Sequence, residues 1–382
     1  MLDRTIAYPT GSEIDTLVVE TARSFAQEKL APGAAAREKA RAIEPAVVDE
    51  LAALGFLGAT TGAVHGGAEI DYATYALALE EIAAGDGSVS TLVSVHNAPT
   101  CTVLERFCTP DQHERWLRPL TAGKVGWFAL TEPGAGSDAS ALRTRAVRRG
   151  DHYVISGAKQ FISNIPFDGH GVLFAVTDPD AGKKGISAFV VANDTPGFQV
   201  VRHEEKLGQH ASATCAIAFD DMAIPANQLI GAEGEGYRIA LSSLEAGRIG
   251  IAAQSIGIAR AALDYAIAYA KERRSMGKPI IEHQAVAFRL VEARTKLESA
   301  RQLVLHAARL KDAGLPALEA ACMAKLHAAE VAEAVCSAAI QTLGGYGYLA
   351  DYPVERCYRD VRVCQIYEGT GDVQKLIIAR NL

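Results

Sequence analysis

The chain has 382 residues, long enough for two or three domains, and its 49% hydrophobic content excludes a disordered chain. A net charge of −7 gives a field that favours neither nucleic acid nor an anionic membrane, so an anionic small ligand would need local arginines. Seven cysteines without a Cys-x-x-Cys pair and ten scattered histidines point to reduced thiols in a cytoplasmic protein with no metal site.

The start, Met1-Leu2-Asp3-Arg4-Thr5, lacks a basic segment followed by an apolar run, so no signal peptide is expected. No apolar stretch is long enough to span a bilayer. Thr16 to Leu30 reads as a helix with Leu17, Val18 and Phe25 as its apolar residues. Pro45 to Leu54 carries Val47, Val48, Leu51 and Leu54 at helical spacing, and Tyr72 to Ala84 continues until Gly85-Asp86-Gly87 stops it. Asp111 to Leu120 is a short helix with Trp116 and Leu120 on one side. These define a helical domain over residues 1–122.

The pattern shortens between Lys124 and Gly231. Val172–Val176 and Ile186–Val191 are examples of strands cut by Gly, Pro, Asn and Asp, which predicts a compact antiparallel sheet or barrel over 123–233. Strands do not alternate with long helices, which argues against a doubly wound nucleotide fold. Long helices return at Glu235–Glu272, His283–Asp312 and Leu318–Leu343, with a last one from Gly371 to Arg380. The second aligns Val286, Leu290, Ala293, Leu297, Val304 and Ala307 in one stripe. An antiparallel bundle over 234–382 completes an α+β chain.

Six segments carry chemistry. Phe128-Ala129-Leu130-Thr131-Glu132-Pro133-Gly134-Ala135-Gly136-Ser137-Asp138 begins as a strand and breaks into a loop. Its bare N–H groups and the hydroxyls of Thr131 and Ser137 could grip a flat polar ring or a phosphate, or form an ordinary turn. Ser156–Asn164 reads as a hairpin turn leading into a strand, with Phe161 either a core aromatic or a ligand contact. In Glu245-Ala246-Gly247-Arg248-Ile249 the arginine sits on an apolar helix and needs a partner, for which Glu245 is one candidate. Glu272–Pro279 is a basic helix end stopped by Gly277 and Pro279, followed by His283-Gln284. Gln341–Tyr348 includes a glycine cap, and Gln365–Asp372 contains Tyr367-Glu368-Gly369-Thr370.

All six, in this order over nearly the whole chain, resemble the acyl-CoA dehydrogenase family. The wording Gly247-Arg248-Ile249-Gly250-Ile251-Ala252 looks most like its short-chain members. The resemblance implies an N-terminal helical domain, a middle β domain and a C-terminal four-helix bundle. It also implies FAD as cofactor, held by Phe128, Leu130, Thr131, Gly136, Ser137, Phe161, Ser163, Thr370 and Asp372. Arg273, Ser275, Met276, Gln284, Gln341 and Gly345 would hold the FAD of a neighbouring subunit, in a homotetramer. Phe161 stands where the family usually has tryptophan, Met276 where it has phenylalanine, and Asp372 where it has a polar amide or glutamate.

The implied reaction is α,β-dehydrogenation of an acyl-CoA, with Glu368 as base, FAD as hydride acceptor and an electron-transfer flavoprotein as partner. The Glu368 N–H and a ribityl hydroxyl would hold the thioester oxygen, and Ser137, Glu245, Arg248, Tyr367 and Gly369 would contact substrate. Burial would raise the pKa of Glu368, while a helix N-terminus nearby would oppose the rise. Some relatives carry the base one position before the arginine; Gly247 has no carboxylate there, which argues against the isovaleryl-type and long-chain arrangement. Thr91–Asn97 lacks the arginine expected for a glutaryl-type substrate. An isobutyryl-type dehydrogenase is the alternative, and a non-catalytic acyl-CoA-binding protein the reading from another class.

Overall fold

The computed structural model describes residues 12–380 and Leu382, so Met1–Thr5 lie outside the described residues. Ser12 caps the first helix by accepting the Asp15 N–H, and Glu13 and Asp15 complement its positive end. The N-terminal helices are α1 (Glu13–Phe25), α2 (Ala31–Ala40), α3 (Pro45–Ala53), α4 (Tyr72–Gly85), α5 (Gly87–Val95), α6 (Thr102–Phe107), α7 (Pro110–Gln112) and α8 (Arg118–Thr121). Asp86 does more than end α4: its carboxylate accepts the N–H groups of Ser88 (2.9 Å) and Val89 (3.3 Å) and starts α5 at once. The Gly85-Asp86-Gly87 stop is a cap between two helices, and residues 87–107, for which no element is expected from the sequence, are helical.

The middle part holds β1 (Val125–Ala129), β2 (Arg145–Arg149), β3 (His152–Ser163), β4 (Gly169–Val176), β5 (Ile186–Ala192), β6 (Phe198–His203), β7 (Thr214–Pro225) and β8 (Leu229–Ile230). They form one sheet in the order β6-β7-β3-β2-β4-β5-β8, with β1 beside β4. Most pairs are antiparallel, but β1 runs parallel to β4, with Val125 opposite Gly169 and Ala129 opposite Leu173. The sheet is therefore mixed rather than purely antiparallel. Glycine permits the close approach: a Cβ on Gly169 or Gly171 would fall 1.9 or 2.0 Å from the carbonyl oxygen of Val125 or Trp127.

Ser156–Asn164 is not a hairpin turn. β3 runs through it, because its pairing with β7 absorbs extra residues in two bulges, between Ile155 and Gly157 and between Lys159 and Ile162. The second bulge puts Phe161 at φ 62° and leaves its side chain outside, 61% exposed, while Lys159 two residues before it and Ile162 after it are buried.

The C-terminal helices are α9 (Gly236–Glu272), α10 (Gln284–Asp312), α11 (Leu318–Leu343), α12 (Pro353–Val361) and α13 (Gly371–Ala379). A two-stranded turn, β9 (Arg274–Ser275) with β10 (Lys278–Pro279), joins α9 to α10. α9 is the spine of the molecule. It is buried continuously from Ala246 to Ala259, as a helix apolar on every side must be, and packs against α4 of the first domain as well as α10, α11 and α12. Among the described residues no helix is long and apolar enough to cross a membrane.

Candidate active site

Tyr367-Glu368-Gly369-Thr370 makes a tight turn into α13, which Thr370 caps by accepting the Val373 N–H at 3.3 Å. Glu368 has φ 54° and Gly369 φ 87°. A non-glycine residue in that region costs about 1–3 kcal/mol, so its surroundings must hold it. They do so from two helices. Gln374 Nε2 donates to the carbonyls of Glu368 (3.1 Å) and Gly369 (2.9 Å), and Lys325 Nζ donates to the Gly369 carbonyl at 2.7 Å. Both side chains are fully buried.

The Glu368 carboxyl faces α9. Its Oε2 is buried without a hydrogen-bond partner, although the residue as a whole is half-buried. A Cβ on Gly247 would fall 2.8 Å from Oε2 and 2.9 Å from Cδ, so the absence of a side chain at 247 makes the room this carboxyl occupies. Burial drives its pKa up, the charges of Arg248 and Lys325 pull it back, and it settles at about 6. Arg248 is 4% exposed and its Nε is likewise unpartnered. The suggested Arg248–Glu245 pair does not form. Arg248 turns into the core, whereas Glu245 stays half-buried and meets Lys311 of α10 at 3.1 Å.

Tyr367 is committed elsewhere. Its hydroxyl donates to Gln254 Oε1 and accepts from Gln209 Nε2 at 3.3 Å. Gln254 Nε2 donates to Thr91 Oγ1 at 2.6 Å, and Thr91 Oγ1 donates to Gln209 Oε1 at 2.5 Å. This network ties α5, the middle part and α9 together behind the turn. Any contact of Tyr367 with a ligand must use its ring.

The β1 end and its loop lie on a buried ion pair. Lys159 Nζ reaches Glu132 Oε1 at 2.8 Å and the Leu130 carbonyl at 3.0 Å, and Glu132 also accepts the N–H groups of Arg143 (2.6 Å) and Thr144 (3.0 Å). Burial opposes the Glu132 charge, but Lys159 and these donors outweigh it and hold the carboxyl below its usual range. Phe128, Leu130, Thr131 and Ser163 are half-buried, while Gly136 and Ser137 are exposed. Nothing lies within 4 Å of where a Cβ would stand on Gly134 or Gly136, so this loop faces open space.

The remaining candidates fall into two groups. Thr370 and Asp372 line a cavity of about 280 Å³ with Lys325, Arg362 and Lys375. Arg273, Ser275, Gln341 and Gly345 line another of about 390 Å³ with Tyr269 and Tyr346. Met276, 90% exposed, and Gln284, also exposed, are outside that lining. At 1.5 Å per residue, Arg273 lies ~39 Å along α9 from Gly247. The Glu368 carboxyl and the cavity beside Arg273 thus lie far apart along α9.

Sequence reasoning did not single out Lys159, Lys325 or Gln374, nor give Glu132 a role. The signal for Lys325 was a cation on a helix face of Ala321, Cys322, Ala324 and Ala328; Gln374 carries none.

The sequence matches the Acyl-CoA dehydrogenase N-terminal domain over residues 12–124, the middle domain over 127–222 and the C-terminal domain over 234–382. It is 43% identical over 371 residues to the human mitochondrial short-chain specific acyl-CoA dehydrogenase, covering 97% of this chain and 90% of that one. Butyryl-CoA dehydrogenase from Megasphaera elsdenii superposes with a TM-score of 0.95 at 39% identity, covering 98% of this chain and 99% of that one. A chain from a structure concerned with the electron transferring flavoprotein of Acidaminococcus fermentans gives 0.96 at 41% identity, with the same coverage. The chain belongs to the acyl-CoA dehydrogenase family. It is an enzyme of that FAD-dependent family, with the family's helical, sheet and helical domains. The residues present fit such a cofactor: an open glycine-bearing loop, two lined cavities, and a buried carboxyl oxygen left without a partner.

Proposed function

We propose that this enzyme dehydrogenates short-chain acyl-CoA thioesters between Cα and Cβ, with Glu368 as the base. The observation that carries the reading is the Glu368 carboxyl: buried, unpartnered at Oε2, and pressed against Gly247. An acid with a pKa of about 6 is ionised at neutral pH, yet basic enough to take a weakly acidic α-proton at Oε2. The clamped turn aims it, and the unpaired Arg248 beside it favours the charged form. The Glu368 N–H is assigned to the thioester oxygen, where a preorganised donor is worth about 3–4 kcal/mol as charge develops. Tyr367, through its ring, and Gly369, Ser137 and Glu245 complete the substrate contacts. FAD, when bound, supplies the acceptor for the hydride that leaves the β-carbon.

Phe128, Leu130, Thr131, Gly136, Ser137, Phe161, Ser163, Thr370 and Asp372 would hold FAD within one chain. Arg273, Ser275, Met276, Gln284, Gln341 and Gly345 would hold the FAD of a neighbouring copy; the ~39 Å along α9 between Gly247 and Arg273 supports a site completed by a second copy in a homotetramer. The domain limits 1–122, 123–233 and 234–382 belong to the same reading. The human and Megasphaera relatives support the short-chain preference. The Acidaminococcus structure supports an electron-transfer flavoprotein as partner. Seven cysteines, all free, support a reducing compartment such as the cytoplasm.

The test is anaerobic titration with butyryl-, isobutyryl- and octanoyl-CoA, read by flavin bleaching. Butyryl-CoA should bleach fastest, and isobutyryl-CoA in first place would turn the assignment to the branched substrate. The wild-type rate should rise with pH through about 6, because only the carboxylate accepts a proton. Glu368→Gln should keep its flavin and slow by about 10²–10⁴-fold. Near-normal bleaching in that variant would remove Glu368 from its role.

A further inference from the structure

Lys325 is a fully buried cation on α11, outside the set the family resemblance names, and its ammonium makes a 2.7 Å hydrogen bond to the Gly369 carbonyl. The bond goes to the peptide immediately after Glu368, whose φ of 54° needs outside support. Gln374 shares the task from α13, donating to the same carbonyl and to that of Glu368. The two donors are not equivalent, because only Lys325 carries charge.

We propose that Lys325 is a positioning residue for the base: its ammonium clamps the turn through the Gly369 carbonyl and sets a fixed positive charge behind the Glu368 carboxyl. The proposal rests on the reading of Glu368 as the base and adds what holds and tunes it. Two cations act on Glu368, Arg248 from α9 and Lys325 from α11. Lys325 in turn lies within electrostatic range of Cys322 on its own helix, Arg248 on α9, and Cys364 and Glu368 from the segment before α13. Burial lowers the Lys325 pKa to about 8, with Arg248 adding to the fall and Cys364, Glu368 and Cys322 opposing it. The amine is therefore protonated at pH 7. It makes the carboxylate easier to form and keeps the base ionised near neutrality, at some cost in basicity.

Substitutions that separate donor from charge test this. Lys325→Gln keeps an N–H donor for Gly369 and loses the charge; Lys325→Arg keeps both. In Lys325→Gln the Glu368 carboxyl should titrate about one pH unit higher, since a nearby opposite charge shifts a carboxyl by that order or more. Carbon-13 NMR of labelled glutamate, assigned with Glu368→Gln, reads this directly. The acid limb of the bleaching rate should move with it, slowing the reaction about fivefold at pH 6. Lys325→Arg should leave both where they are. A limb and a titration unmoved in Lys325→Gln, or moved equally in Lys325→Arg, would overturn the proposal. The wild-type protein supplies a check that needs no folded variant: the Lys325 Nζ nitrogen-15 shift at pH 7 must be that of an ammonium, and a neutral amine there would refute the charge. Glu368 titration is read independently of turnover, so a wrong base assignment and a wrong role for Lys325 fail in different experiments.

Discussion

Gly247→Ala offers the sharpest trial of the site. The three atoms nearest to a Cβ at this position all belong to Glu368: Oε2 at 2.8 Å, Cδ at 2.9 Å and Oε1 at 3.1 Å. Ordinary carbon–carbon contact lies at about 3.5–4.0 Å, so the carboxyl must retreat by about 0.5–1 Å. Elsewhere the exchange should help, because alanine in a helix interior is better than glycine by about 1 kcal/mol. Stability and rate should therefore part company. The melting temperature should hold or rise slightly, while flavin bleaching by butyryl-CoA under anaerobic stopped flow should slow by about 10–100-fold, the scale of loss for an ångström of misplacement. Flavin content should stay the same. A variant within twofold of wild type would refute the claim that this glycine sets where the Glu368 carboxyl sits. A variant that is slow and also unstable would assign the loss to the helix instead.

Two further outcomes are expected. Lys159→Met breaks the buried pair with Glu132 and should cost about 3 kcal/mol in urea unfolding, the low end for such pairs because Glu132 keeps two backbone donors; it should also loosen the Leu130–Thr131 loop and raise the FAD dissociation constant, and unchanged values for both would deny that the pair supports this loop. Arg273→Ala should lower FAD retention and weaken assembly, read by flavin released on gel filtration and by light scattering; full retention would count against a site shared between copies.

Where a pattern was local, the sequence disclosed it. α9, α10 and α11 were readable to within a residue or two, because long apolar runs end at clear stops such as Gly344. The helices of residues 87–107 are not legible locally, because Asp86 between two glycines reads as a terminator and its capping role depends on where the chain goes next. β1 beside β4 was hidden because parallel pairing depends on Gly169 and Gly171, two ordinary-looking glycines whose purpose is to let another backbone approach. At the site, Glu368 was found through the words around it, not through any periodicity. Its opposition to Gly247 joins positions far apart in the chain, and nothing near either one announces it. Glu245 and Arg248 looked like partners by spacing, yet tertiary packing gave the glutamate to Lys311.

α9 imposes one more condition. A single unbroken rod bears Gly247 about a third of the way along and Arg273 as its C-cap, so the turn that holds Glu368 and the cavity beside Arg273 are held in phase like keys cut on one shaft. Removing one residue between them would turn the far end by about 100° and draw it in by about 1.5 Å. Length changes that a surface loop would absorb are therefore closed to this helix. Evolution can revise its side chains one at a time, but not its count.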